Sequence, residues 1–229
     1  MIETIEINAV KTLAKTRRSW LCPSGKLGTV EELSREYYIG ERGYTDCLID
    51  TACVYGGLMW VLFHDMIFHD NLNSKQPLCR QFLNSPKKFY EINKNTIERR
   101  LLEYQNDRKF VFEQKLQQYC AHPFFCDPKS KIAKYHGNWL MKNKTKLKDF
   151  ISLSVEHSQE SFVREIFITS NKGRNKGWPD LVAWSSKSLV FAEVKSTDKL
   201  STEQRAWISD HENNFRIELV KILNSKSIG

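Results

Sequence analysis

The sequence lacks any apolar run long enough to cross a membrane. The longest run, residues 51 to 63, has thirteen residues and is interrupted by Gly56 and Gly57, whereas a membrane-spanning helix needs about 20 apolar residues. The first ten residues contain two glutamates and no apolar core, so they do not resemble a signal peptide. We therefore expect an intracellular protein, in a bacterial cytoplasm or a eukaryotic nucleus, with no membrane partner.

Paired cysteine motifs, internal repeats and low-complexity tracts are also missing. None of the six cysteines forms a C-x-x-C pair, which favours reduced, mostly buried thiols. Because 41% of the residues are hydrophobic, the chain can bury a core and wholesale disorder is excluded.

Charge is plentiful and mostly of one sign. The formal net charge is +8 and the isoelectric point is near 9.1, which favours a polyanionic partner. Charge alone does not distinguish nucleic acid from an anionic membrane.

Two short apolar runs near the C-terminus predict a β-hairpin. Residues 181–184 and 189–195 are rich in Val, Leu and Phe and are separated by a polar turn. Pro179 is compatible with the start of a strand but not with its centre, so Asp180 is placed at the mouth of the first strand. Side chains alternate along a strand, so Glu193 and Lys195 share one face.

This hairpin carries the candidate chemistry. A charged pair on a buried strand is costly unless a ligand or an ion compensates it. Two carboxylates and a lysine at the end of a hairpin suit a hard cation and an activated water. The alternative is a surface hairpin whose Glu193 and Lys195 are merely solvated, because a lone E-x-K motif has little specificity.

The wider pattern resembles a known nuclease family. Asp180 lies in a G-x-P-D-L motif, thirteen residues before the glutamate of E-V-K (193 − 180), and L-S-x-x-Q-x-x-W follows from Leu200 to Trp207. This order resembles the VRR-NUC branch of the PD-(D/E)xK nucleases. Earlier segments, namely the V-E-E-L motif from Val30, Gly43-Tyr44 and the apolar residues 58–68, resemble the Fanconi-associated nucleases of that branch.

The resemblance implies a structure-specific DNA nuclease that acts on branched or 5′-flapped DNA in repair and uses one or two Mg²⁺ or Mn²⁺ ions. By position, Asp180 and Glu193 would be metal ligands together with the backbone carbonyl of Val194. Lys195 would position the attacking water or stabilise the transition state, and Gln204 would support the site. Hard oxygen ligands favour Mg²⁺ or Mn²⁺ over zinc.

One family position departs from the pattern. Gapless counting back from Phe68 places the glutamate of the family's H-x-E-G motif at Thr51. Asp50, or Glu160 or Glu165 on a later helix, could supply the missing carboxylate. Without it a second ion would bind weakly, and we expect Mn²⁺ to outperform Mg²⁺.

Lysines and arginines precede the hairpin in a glycine-containing loop. Lys172, Arg174 and Lys176 lead directly to Asp180 and are predicted to bind DNA phosphates. A second basic set, Arg99, Arg100, Arg108 and Lys109, is interpreted as a solvated helix face, with DNA contact as the alternative.

The predicted fold class is α/β (α+β). We expect a helical N-terminal lobe followed by a restriction-endonuclease-like core, in which helices flank a mixed central sheet. The predicted domains are an N-terminal segment at 1–28, a helical lobe at 29–150 and the VRR-NUC module at 151–229. Helices are predicted at 29–40, 47–69, from Asn95, 158–169 and 201–213, and a final strand at 215–223. Residues 1–28 are weakly patterned, 71–94 are predicted to be a connecting loop with short turns, and 123–143 are predicted to be irregular.

Other functions remain open at this stage. A restriction or defence nuclease, or a junction resolvase, would use the same module, and a protein partner could supply substrate choice. A catalytically silent module that binds branched DNA is favoured by Thr51 and disfavoured by the complete D…E-x-K set.

Overall fold

The computed structural model describes residues 2–14, 17–68, 82, 84–122, 138–153, 159–169 and 177–225. The chain divides into two compact units. The first, the sheet unit, combines Met1–Thr51 with Lys176–Gly229, and the second, the helical unit, is Ala52–Asn175. No helix of the described residues is both long enough and apolar enough to cross a membrane.

The strands are β1 (Glu3–Ala9), β2 (Lys11–Ala14), β3 (Arg17–Leu21), β4 (Leu27–Gly28), β5 (Asp46–Ile49), β6 (Leu181–Trp184), β7 (Leu189–Lys195) and β8 (Arg216–Asn224). The helices are α1 (Val30–Gly40), α2 (Thr51–Ile67), α3 (Pro86–Asn106), α4 (Arg108–Ala121), α5 (Asn138–Leu153), α6 (Gln159–Thr169) and α7 (Thr202–His211).

A five-stranded mixed sheet is the centre of the sheet unit. Its order is β1-β8-β7-β6-β5, and β8 runs parallel to both β1 and β7 while the remaining pairs are antiparallel. Strands β2, β3 and β4 form a separate antiparallel sheet. The predicted fold class, a mixed central sheet with helices, is confirmed.

The two faces of the large sheet are covered by different helices. Alternate apolar side chains of every strand, such as Ile5, Val194 and Val220, join α1 in one buried cluster. On the opposite face Trp207 of α7 packs edge-on against Phe191 of β7, with ring centroids 5.5 Å apart. Glu193 and Lys195 belong to this second face, because they alternate with Val194.

Local signals explain the two helices of the sheet unit. Thr29 accepts from the N–H of Glu32, whose side chain accepts from the N–H of Thr29, so the predicted capping box starts α1. Ser201 and Gln204 form the same reciprocal cap at the start of α7. The hairpin β6–β7, the helices α1 and α7, and the final strand β8 all lie where the sequence predicts them.

A buried charged network fixes α1 to the sheet. Glu218 of β8 is fully buried and accepts a 2.5 Å hydrogen bond from the hydroxyl of Tyr38 in α1. Arg42 and Arg216 also contact this carboxylate, at 3.1 and 2.8 Å. Burial and the hydrogen bond to Glu218 hold the pKa of Tyr38 far above its usual value, so the phenol remains a donor.

The helical unit is built around α2. Its side chains at Val54, Leu58, Val61 and Phe63 are completely buried. Ion pairs link other helices of the unit: Arg100 of α3 contacts Asp65 of α2 at 2.5 Å, and Arg108 of α4 contacts Glu160 of α6 at 3.3 Å. Arg99 also pairs with Glu103 of α3, at 3.8 Å. Three of the four members of the predicted basic face therefore form ion pairs inside this unit.

Several predicted boundaries are wrong. Residues 46–49 are a strand rather than the start of a helix, because a short apolar run does not distinguish the two. A left-handed Asp50, with φ +66°, then separates this strand from α2. Helix α3 begins at Pro86 after an N-cap at Ser85, not at Asn95, and α5 begins at Asn138 within the segment predicted as irregular.

The N-terminal segment is also more ordered than predicted. Residues 3–28 contain four strands, and β1 pairs with β8, which lies more than 200 residues later in the chain. The observed units do not coincide with the predicted domains 1–28, 29–150 and 151–229, because the first 51 residues cluster with the C-terminal ones. The helical unit is an insertion between β5 and β6 rather than an N-terminal lobe.

Candidate active site

The structure brings Asp180, Glu193, Lys195 and Gln204 together at one edge of the sheet unit. Asp180 immediately precedes β6, Glu193 and Lys195 lie at the end of β7, and Gln204 lies in the first turn of α7. Hydrogen bonds and an ion pair join all four, directly or through Val194.

Gly177 permits the close approach of the chain before Asp180 to α7. Its φ is +88°, a left-handed conformation that favours glycine, and a Cβ at this position would lie 2.6 Å from the carbonyl oxygen of Glu203. Any other residue would push the start of β6 away from the helix that carries Gln204. The glycine of the G-x-P-D-L motif therefore has a packing function.

Asp180 is held by backbone groups on both sides. Its Oδ2 accepts a 2.8 Å hydrogen bond from the N–H of Val194, and its own carbonyl accepts a 2.6 Å bond from the N–H of Asp50. The N–H and C=O of one strand residue point to the same side of the strand, so the Val194 carbonyl also faces the side from which Asp180 approaches.

Glu193 is the most deeply buried member of the cluster, with only 1% of its surface exposed. Its Oε1 lies 2.7 Å from Nζ of Lys195 and accepts a hydrogen bond from Nε2 of Gln204. The Oε1 of Gln204 meanwhile accepts from the N–H of Ser201 at 2.9 Å. The same amide therefore caps α7 and orients the carboxylate of Glu193.

The two carboxyl groups repel each other and are poorly hydrated. Burial, reinforced by the charge of Asp180, raises the pKa of Glu193 to about 7. Burial also raises the pKa of Asp180, although the hydrogen bonds from Val194 and Glu193 oppose this change. Near neutral pH the two carboxyl groups hold one proton between them, and this proton resides mainly on Glu193.

Glu31 is a carboxylate near the site that the sequence reasoning missed. It lies in the first turn of α1, and its charge contributes to raising the pKa of Asp180. The adjacent Glu32 is occupied by the capping box, with its Oε2 2.8 Å from the N–H of Thr29. The V-E-E-L motif could have indicated this carboxylate, because it contains two glutamates and the cap of α1 needs only one of them.

No third metal-binding side chain joins the carboxylate pair in the described part of the chain. Among these residues no group of three or more His, Cys, Asp or Glu is arranged to hold a metal ion. Asp50 is linked to Asp180 through its backbone, and its side chain is exposed. Thr51 is completely buried, and its hydroxyl makes no hydrogen bond in the described chain.

The remaining predicted site residues have other environments. Glu160, one of the alternative acids, pairs with Arg108 within the helical unit. The predicted DNA-binding residues Lys172, Arg174 and Lys176 lie outside the described residues.

Comparison with known proteins identifies the module that contains this cluster. The family model of the VRR-NUC domain matches residues 129–222. This part of the chain is similar to VRR-NUC domains. All four clustered side chains lie within the matched residues, and so do Val194 and Gly177.

The chain is also similar in fold to solved structures of another protein. The chain is similar to the crystal structure of paFAN1 bound to 5′-flap DNA with a 2-nucleotide flap and a gap, with a TM-score of 0.67 and 15% identity. A paFAN1 structure with a 1-nucleotide flap gives a TM-score of 0.64 at 15% identity. Each match covers 99% of this chain but only 38% of the paFAN1 chain. No curated protein sequence matches.

The donor set of the candidate site fits a hard divalent cation. Asp180 and Glu193 supply two adjacent carboxylates, and the Val194 carbonyl faces the same side. Like-charged buried carboxylates are compensated when a cation binds between them. Lys195 neutralises only part of the charge, because the pKa of Glu193 remains raised despite the ion pair.

Proposed function

We propose that this protein is a metal-dependent, structure-specific DNA nuclease that hydrolyses phosphodiester bonds in flapped or branched DNA during repair. The observation that carries the proposal is the Asp180–Glu193–Lys195–Gln204 cluster inside a VRR-NUC domain. The net charge of +8 and the similarity in fold to a nuclease bound to 5′-flap DNA support a DNA substrate. We also propose that the protein is intracellular and that a protein partner helps to select the substrate.

Each clustered side chain has a role in this proposal. Asp180, Glu193 and the Val194 carbonyl hold Mg²⁺ or Mn²⁺, which when bound supplies a Lewis acid and lowers the pKa of a bound water. Lys195 presents an ammonium group beside the carboxylates, where it orients the attacking water or neutralises charge on the phosphate. Gln204 fixes the rotamer of Glu193 and prevents it from turning away.

A catalytically silent DNA-binding module is the second candidate. It is favoured because, among the described residues, no third carboxylate is arranged with Asp180 and Glu193 to hold a metal ion. It is disfavoured by the buried carboxylate pair itself, because clustered negative charge weakens binding of DNA phosphates unless a cation is present. A restriction or defence nuclease and a junction resolvase remain alternatives on the same module.

The test is a cleavage assay with labelled 5′-flap, 3′-flap, four-way junction, duplex and single-stranded DNA in Mg²⁺, Mn²⁺ or EDTA. We expect metal-dependent cleavage with a preference for flaps or branches. Asp180→Ala and Glu193→Ala should abolish cleavage and leave DNA binding within a few-fold, whereas the exposed control Glu6→Gln should cleave normally. Cleavage by either alanine variant at the wild-type rate would contradict the assigned site.

The source of an additional metal ligand can be tested in the same assay. Asp50→Ala should lower cleavage in Mg²⁺ if Asp50 is the missing ligand, and Glu31→Ala should do so if the acid comes from α1. Calorimetric titration with Mn²⁺ would count the bound ions in each variant. A stoichiometry of one ion that neither substitution changes would support a one-metal enzyme.

A further inference from the structure

A cavity of about 400 Å³ lies beside Lys195 in the sheet unit. Its walls are the loop 196–200, the start of α7 and the C-terminal half of β8. The side chains that matter for its chemistry are Lys195, Lys199, Arg205, Leu219, Lys221 and Leu223. Lys195 thus belongs both to the cavity and to the catalytic cluster.

Strand register explains why the cavity is next to the catalytic cluster. In the parallel pair β7–β8, Glu193 is opposite Leu219 and Lys195 is opposite Lys221. Side chains of paired residues share a face, so Leu219, Lys221 and Leu223 extend the active-site face across β8. Helix α7 covers this face at Phe191 and leaves the far end of β8 open.

The charged part of the cavity lining is mostly cationic. Neither Lys199 nor Lys221 forms an ion pair among the described residues, and this includes Glu6, which faces Lys221 across the β1–β8 pair. Arg205 is fixed in place by a 2.5 Å hydrogen bond to the carbonyl of Leu200. Among the described residues that line the cavity, only Asp198 is acidic. An anion is therefore the favoured occupant.

The apolar part of the cavity lining, called the leucine floor, is formed by three leucines. These are Leu200, Leu219 and Leu223, and Leu223 keeps 38% of its surface exposed. Lysines and an arginine alone would satisfy an inorganic phosphate, which gains nothing from leucine side chains. A nucleotide matches both parts of the lining, because its phosphate is anionic while its sugar and base present apolar surface.

We propose that this cavity binds one nucleotide of the cleaved strand, next to the phosphate that is cut. Lys199, Arg205 and Lys221 contact its phosphate, and the leucine floor contacts its sugar or base. The position of this nucleotide next to the cut phosphate rests on the proposed nuclease function. Binding of a nucleotide in the cavity does not require cleavage.

A direct test uses the full chain in EDTA, so that no cation bridges the carboxylates and a phosphate. Deoxythymidine 3′,5′-bisphosphate is titrated while the leucine methyl groups are followed by NMR. We expect saturable shifts at Leu200, Leu219 and Leu223, and much smaller ones with inorganic phosphate at the same concentration. Equal shifts with inorganic phosphate, or none with the bisphosphate, would overturn the proposal.

Two variants separate the charged and apolar contributions. Lys221→Ala should weaken binding of single-stranded DNA several-fold and reduce the log–log salt slope by about 0.7, the value for one lost phosphate contact. Leu223→Asn should weaken binding of the bisphosphate and leave the slope unchanged. Lys187→Ala is the matched control, because it removes the same charge in the turn at the opposite end of β7.

The outcomes also separate this inference from the proposed function. If the bisphosphate binds at the leucine floor but the chain cuts no DNA in Mg²⁺ or Mn²⁺, the nuclease proposal fails and the nucleotide site stands. If the chain cuts DNA and Lys221→Ala behaves like Lys187→Ala in affinity and salt slope, the nucleotide site fails alone.

Discussion

Replacing Glu193 by glutamine should stabilise the metal-free protein while it abolishes cleavage. The carboxyl group is buried, lies beside Asp180 and has its pKa raised from an ordinary 4.5 to about 7. An amide keeps the shape of the side chain and removes the charge. Its oxygen still accepts from Gln204 and Lys195, and its NH₂ group provides a donor for Asp180.

The size of the effect follows from the pKa difference. A shift of 2.5 (7 − 4.5) corresponds to about 3 kcal/mol, since one pKa unit is about 1.4 kcal/mol. The unfolded chain ionises Glu193 above pH 4.5, whereas the folded chain ionises it only near pH 7, so folding stability falls as pH rises through this window. The glutamine variant does not lose this folding stability. The difference in the free energy of unfolding between variant and wild type should therefore grow from nearly zero at pH 4 to its full value above pH 7.

Thermal unfolding in EDTA measures this difference. At pH 8 the midpoint of Glu193→Gln should exceed that of the wild type by roughly 6 to 12 °C, since 1 kcal/mol shifts a chain of this size by about 2–4 °C. Glu6→Gln, which removes an exposed carboxylate, should change little at either pH. Adding Mn²⁺ should raise the wild-type midpoint and not that of Glu193→Gln. An advantage that is absent at pH 8, or identical at pH 4 and pH 8, would show that the buried charge of Glu193 does not destabilise the folded chain.

Three further variants, two single and one double, test other parts of the chain. Tyr38→Phe should lower the free energy of unfolding by about 1–3 kcal/mol in urea, because buried Glu218 loses its phenolic donor; no loss would show that the arginines suffice. Thr51→Val should raise it by about 1 kcal/mol, because the buried hydroxyl has no partner in the described chain, and a decrease would indicate an undetected partner. Replacing Arg174 and Lys176 together by alanine should reduce the salt slope of DNA binding by about 0.7–0.9 per lost phosphate contact; an unchanged slope would exclude phosphate contacts there.

The sequence was sufficient for the parts of the site that are close together in the chain. The hairpin that carries Asp180 and Glu193 has strong turn and strand signals, and the cap at Ser201 places Gln204 in the first turn of α7. These features depend on hydrogen bonds between residues fewer than about 20 positions apart. Local pattern therefore predicted the positions of Asp180, Glu193 and Lys195, whereas the role of Gln204 followed from the family resemblance.

Pairing between strands that are far apart in the sequence could not be predicted in this way. Nothing in residues 3–9 indicates that they pair with 218–224, and the contribution of Glu31 to the electrostatics of Asp180 depends on how α1 packs across the sheet. Asp46–Ile49 is too short for its period to distinguish strand from helix. The backbone link between Asp50 and Asp180 depends on that strand and was missed with it.

The pairing of β1 with β8 has a consequence for how the protein is made. A ribosome releases β1, α1 and β5 first, but their partners β6, β7 and β8 emerge only after the whole helical unit has been synthesised. At about 5–20 residues per second the early strands wait for roughly ten seconds or more, with apolar side chains such as Ile5 and Ile7 uncovered. The inserted helices can fold during this interval, whereas the active site is assembled last. Residues 129–222 expressed alone would lack β1, α1 and β5, so they should not form a complete sheet.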